Sequence, residues 1–130
     1  MFNKGSDLVI APHADDEVIG CGGYIDKCEK TMNVYFCGFD EHHEVSYNER
    51  IEEIQAVADY LGYEFMINEG SIVNRYYMPD FIDTFQKVIN TFEPGRVFIP
   101  YPSYNQDHQA IYHAAMIPRY MNIVLNTLHF

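Results

Sequence analysis

Apolar runs alternate along this chain with stretches in which apolar residues recur every three or four positions, the pattern of strands followed by helices. "DLVIAP" is a short apolar run closed by a proline and suits a buried parallel strand, and "DDEVIGCGGYIDKCEK" behind it reads as a helix. "MNVYFCGF" predicts a second strand. In "SYNERIEEIQAVADYLG", Ile51, Ile54, Val57, Ala58 and Leu61 keep helical spacing, with Ser46 as the cap and Gly62 as the stop. "YEFMIN" predicts a third strand. In "MPDFIDTFQKVINTFEPG", Phe81, Phe85, Val88, Ile89 and Phe92 form one helical face, and Pro94 with Gly95 ends the pattern. "RVFIPYP" is a fourth strand, and "DHQAIYHAAMI" resumes helical spacing up to Pro118. The tail "NIVLNTLHF" fits a last strand or a helix end equally.

This alternation predicts an α/β fold over residues 1–130 as a single domain: a doubly wound, mainly parallel sheet with helices on both faces and right-handed crossovers. No linker or low-complexity segment interrupts it. Ligands of such sheets gather beyond the carboxyl ends of the strands where strand order reverses. With the order 3-2-1-4, strands one and four are neighbours. The segments behind those two strands carry "PHADDE" and "NQDH", so two polar clusters about ninety residues apart converge on one crevice.

The chemistry of the clusters suggests a metal. His13 and Asp16 stand three apart across a strand-to-helix turn, and His108 supplies a third ligand from the other segment. Two histidines and a carboxylate leave open coordination positions, as in catalytic zinc sites and in the facial triad of non-haem iron, and Zn2+, Fe2+ or another divalent ion all fit the ligand set. A divalent ion can lower the pKa of a bound water to about 7. Asp15 lies beside the ligands as a general base, and Asp107 is placed to hold the other ring nitrogen of His108.

Composition narrows the partners. With 8 Lys and Arg against 19 Asp and Glu, the formal charge of -11 disfavours nucleic acid and anionic membranes. The chain has 130 residues, enough for one core, and no run approaches the roughly 20 apolar residues of a membrane span. Three cysteines without a CxxC arrangement fit reduced thiols, so the expected location is cytoplasmic.

Each feature also has a plainer account. "DDE" alone would serve a helix N-terminus, at about 0.3–1 kcal/mol; His13 before it and "DH" downstream favour the metal. "GCGG" matches no phosphate-loop pattern and is expected to serve close helix packing. Arg50 can pair with Glu53 or Glu49 on its helix. "EHHE" at Glu41 to Glu44 reads as a solvated turn, His113 as a residue that packs on its helix, and Tyr76 and Tyr77 as packing residues or a binding rim.

"APHADDEVIGCGG" resembles the A-H-P-D-D-E segment of the PIG-L/LmbE-like family of metal-dependent de-N-acetylases. "NQDH" resembles that family's H-x-D-H segment, and "ERIEEIQAVADYLGY" its arginine-bearing helix ending in Leu-Gly. The resemblance implies a Rossmann-like fold and a zinc-dependent hydrolase that removes an N-acetyl group from an amino sugar or glycoconjugate of the N-acetylglucosamine type. It places His13, Asp16 and His108 on the zinc ligands, Asp15 on the general base and Arg50 on a substrate contact.

The departures are Ala14 in place of a proline, Asn105 in place of the first histidine of H-x-D-H, and the absence of the usual carboxyl-terminal part. Asn105 cannot supply a proton at neutral pH but can donate a hydrogen bond to an oxyanion, and Tyr104 is a substitute donor. The alternative function is a catalytically impaired metal-binding or assembly module of the same fold. An uncovered "VFIPYP" edge predicts a homo-oligomer unless the tail covers it.

Overall fold

A computed structural model describes residues 2–38, 45–117 and 127–129. Glu41 to Glu44 and Pro118 lie outside the described residues. The elements run β1 (Leu8–Ala11), α1 (Asp16–Lys27), β2 (Met32–Phe36), α2 (Tyr47–Leu61), β3 (Tyr63–Ile67), α3 (Met78–Phe92), β4 (Val97–Ile99), α4 (Gln106–Ala115) and β5 (Thr127–His129). The sheet has the order β3-β2-β1-β4-β5, with every pairing parallel.

The central strands β1 and β4 are apolar throughout, and β2 is so apart from Asn33, because both faces of the sheet are covered there. Side chains of a strand alternate between faces, and β1 shows the division. Val9 and Ala11 join Val34, Phe36 and Phe98 against Cys21 and Ile25 of α1 and Ile54 and Ala58 of α2. Leu8 and Ile10 join Tyr35, Val97 and Ile99 against Phe81, Phe85, Val88 and Ile89 of α3 and Ala110, Ile111 and Ala114 of α4. The first two helices therefore cover one face and the last two the other. The chain changes direction between β1 and β4, which sets the crevice at their carboxyl ends.

The helix limits follow from local chemistry. The Ser46 hydroxyl accepts the Glu49 N–H while the Glu49 carboxylate accepts the Ser46 N–H, a reciprocal cap that starts α2. Gly62, at φ 76°, takes the left-handed position that ends it. At the end of α3 that position falls to Glu93, at φ 45°, and Pro94 then prevents the helix from continuing.

Two expectations change. A side chain at Gly23 would meet nothing within 4 Å, and one at Gly22 only Val18 of its own helix, so neither glycine serves close packing. The open side of β4 is taken by β5, which pairs Val97 with Thr127 and Ile99 with His129. The tail thus supplies the strand, and the bare edge from which a homo-oligomer was expected is covered.

Candidate metal centre

Behind β1 the chain turns sharply. Pro12 is fully buried, and the His13 carbonyl accepts the Asp15 and Asp16 N–H groups at 3.0 and 3.3 Å. The His13 N–H donates to Asp16 Oδ2 at 2.9 Å, so the two side chains of the turn are fixed to each other before any ion enters. Behind β4, Asn105 caps α4, its Oδ1 accepting the N–H groups of Asp107 (2.9 Å) and His108 (3.2 Å). Successive helical residues point about 100° apart. Asp107 consequently points inward and His108 toward Asp16.

The donor atoms converge. His108 Nε2 lies 3.2 Å from Asp16 Oδ2, and His13 Nδ1 lies 3.7 Å from the same oxygen. One donor atom from each of His13, Asp16 and His108 falls within 4.8 Å of the others. For ligand bonds of about 2.0–2.2 Å, neighbouring donors around one ion stand roughly 3–3.6 Å apart, so the three residues fit a divalent metal with little adjustment.

Asp107 corrects the expectation for the outer layer. Its carboxylate is fully buried and meets His13 rather than His108: Oδ2 lies 2.7 Å from His13 Nε2. Oδ2 also accepts the Asn74 N–H at 2.6 Å, and Oδ1 accepts the Tyr76 N–H at 3.2 Å. An ionised carboxylate is acceptor-only, so Nε2 of His13 carries the ring proton and Nδ1 offers its lone pair toward Asp16. Asp107 thus orients the ring of His13, a candidate metal donor, and is itself screened from solvent.

The other predicted residues differ in placement. Asp15 is exposed at the N-cap of α1, directly beside the donor set. Tyr104 stands fully exposed just before the α4 cap. Arg50 lies in the first turns of α2, and its Nη1 donates to Glu53 Oε2 at 2.8 Å, the helical pairing its spacing allowed. His113 is exposed and meets the Tyr112 ring edge to face at 5.5 Å. Tyr77 is exposed, whereas Tyr76 is buried.

Three contributors were not singled out as part of the centre. The segment Asn74 to Tyr76 reaches over the cleft from the β3–α3 connection, with Asn74 at φ 68°, a conformation asparagine tolerates. Tyr76 donates its hydroxyl to the Pro12 carbonyl at 2.6 Å and packs on His13. Gly38 lies against that hydroxyl, where a Cβ would collide with the Tyr76 ring. Glu17, the third acid of "DDE", faces the core instead: it is 4% exposed, it accepts the Tyr63 hydroxyl at 3.2 Å, and burial raises its pKa. Its other oxygen is buried without a partner among the described residues.

A doubly wound parallel sheet with a His-Asp-His group at its switch point defines an α/β domain with a candidate metal centre. A family model described as GlcNAc-PI de-N-acetylase, PIG-L, matches residues 8–117, and the chain belongs to that family. No curated protein sequence matches the chain. Among solved structures, it resembles the conserved protein TT1542 from Thermus thermophilus (TM-score 0.74, 24% identity), covering 85% of this chain and 53% of that one. It also resembles GalB, the 4-carboxy-2-hydroxymuconate hydratase from Pseudomonas putida (TM-score 0.70, 25% identity, 88% and 55% covered). A third likeness is to a deacetylase triple mutant of the teicoplanin biosynthetic pathway (TM-score 0.75, 19% identity, 91% and 61% covered). The chain spans between half and two thirds of the length of these proteins.

The Asp107 geometry predicts that Asp107→Asn leaves all three donors in place yet weakens zinc binding about 10–100-fold. Competition with a chelating dye measures this, and an unchanged affinity would show that Asp107 does not position His13. The hydrogen bond that His108 donates to Asp16 raises the pKa of His108 above its ordinary 6.5, against the opposing effect of burial. In metal-free protein this pair therefore contributes stability that is complete below pH 6.5 and lost as the pH rises through the raised value. Asp16→Asn should lower the NMR titration midpoint of His108; an unmoved midpoint would contradict the pairing.

Proposed function

We propose that the protein is a metal-dependent amide hydrolase that removes an N-acetyl group from an amino sugar or glycoconjugate of the N-acetylglucosamine type. The observation that carries this reading is the meeting of His13, Asp16 and His108 with an exposed Asp15 beside them, in a chain of the PIG-L family. The nitrogen and oxygen donors suit zinc, with Fe2+ or another divalent ion as substitute. A bound divalent ion would supply Lewis acidity, polarising the amide carbonyl and acidifying water.

The chain's own groups account for the rest. Asp107 holds His13 with Nδ1 facing Asp16, so the donor set is oriented in advance. Asp15 removes a proton from the attacking water and, once protonated, returns it to the nitrogen of the departing amine, giving acetate and a free amine. Asn105 spends its carbonyl oxygen on the α4 cap, leaving its side-chain N–H groups to donate to the developing oxyanion, with the Tyr104 hydroxyl as a second donor. Each well-placed donor is worth about 3 kcal/mol. Arg50, steadied by Glu53, contacts the substrate from the start of α2.

No helix among the described residues is long and apolar enough to cross a membrane. Cys21, Cys28 and Cys37 are free thiols, which fits a cytoplasmic setting. A metal-binding or assembly module is favoured by one observation: Asn105, at the position of a family histidine, is engaged as a helix cap.

Asp15→Asn separates the readings. Loss of acetate release from N-acetylglucosamine conjugates by about 10²–10⁴-fold, with metal content retained, is the expected result. Unchanged turnover would remove Asp15 from the reaction. A metal-loaded wild-type protein inert toward N-acetylglucosamine and its conjugates would support the module reading.

A further inference from the structure

The opposite end of the sheet holds a cavity of about 540 Å³, bounded by the residues that enter β1, β2 and β4 and by the end of α1. β1 itself, about 13 Å of strand, separates it from the metal centre. Of the chain's eight Lys and Arg, three line this cavity: Lys27, Lys30 and Arg96. That concentration runs against a formal charge of -11 over the whole chain.

The charges facing the cavity do not cancel. Arg96 donates to Asp7 Oδ2 from Nε at 3.0 Å and from Nη2 at 2.7 Å, so the Asp7 carboxylate is neutralised by a two-point ion pair. The guanidinium carbon lies 5.2 and 5.9 Å from the centroids of the Tyr24 and Phe98 rings, and Nη2 also donates to the Tyr24 hydroxyl. Lys27 and Lys30 have no hydrogen-bond or ion-pair partner among the described residues, and Glu29 is the remaining acid of the lining. Subtracting the Asp7–Arg96 pair leaves two ammonium groups against one carboxylate. The floor is kept open by Gly95, where a Cβ would press on Asp7 Oδ1 at 3.1 Å and on the Gly5 carbonyl at 3.4 Å. Such a recess offers an anion two flexible ammonium donors and one preorganised guanidinium.

We propose that this cavity is a second binding site, for the phosphate group of a small soluble molecule. Phosphate suits the donor set better than a lone carboxylate, because the two ammonium groups and Nη1 of Arg96, the guanidinium nitrogen that Asp7 does not engage, can each meet a different oxygen. A phosphate on an anionic membrane is disfavoured by repulsion from the rest of the acidic surface.

Isothermal titration of the whole metal-free chain with inorganic pyrophosphate at low ionic strength tests the proposal. The expected result is saturable binding, at least tenfold weaker in Lys27→Gln/Lys30→Gln and retained in His13→Ala, with the Gly5 and Gly95 amide signals shifting in NMR spectra. Both lysines are exposed, and an unchanged melting temperature of the double variant confirms that its fold is intact. Absence of saturable binding, equal affinity in the double variant, or loss of binding in His13→Ala would each overturn it.

Discussion

The arrangement of this protein depends on one buried carboxylate. Asp107 is closed to solvent, and an isolated charge there would be strongly unfavourable. Its position near the N-terminus of α4 and the donors around it, the Asn74 and Tyr76 N–H groups and the ring N–H of His13, make the charged form acceptable. Those donors belong to the segment behind β1 and to the β3–α3 connection, while the carboxylate itself belongs to the segment behind β4. One side chain therefore ties together three parts of the chain that are distant in sequence, and it sets the ring of His13.

Further contacts tighten the same knot. Tyr76, placed by Asp107 through its backbone, returns a hydroxyl to the Pro12 carbonyl one residue before His13. Gln106 beside Asp107 donates to the Tyr76 carbonyl at 2.9 Å, closing a second link between α4 and the crossing segment. Gly38 follows β2 and leaves room for the tyrosine hydroxyl that any larger residue would displace. The sheet order is the precondition: only with β4 beside β1 do the two polar segments open on the same crevice.

Most of the fold was legible in the sequence. Period-3.6 spacing located α2 and α3 and their buried faces, and continuous apolar runs located strands covered on both sides. The tail was ambiguous because a three-residue strand such as β5 has no period to read. The convergence of His13, Asp16 and His108 was legible too, since they sit at the two strand ends that a doubly wound sheet brings together. The partner of Asp107 was not. Adjacency to His108 suggested that imidazole, but on a helix neighbours diverge, and the histidine that Asp107 meets lies 94 positions away. Backbone N–H groups leave no trace in residue identity, so the contribution of Asn74 and Tyr76 was equally invisible. Nor did the "DDE" run separate Glu17 from its neighbours, because its partner Tyr63 lies 46 positions away.

The central claim is that two segments from opposite ends of the chain form one three-donor metal site on a scaffold held by Asp107. Elemental analysis of untagged protein, before and after incubation with zinc, tests it most directly, with His13→Ala and His108→Ala as comparisons. The account predicts about one ion per wild-type chain and a marked loss in both variants. A wild-type chain that takes up no metal, or variants that retain it in full, would contradict the account.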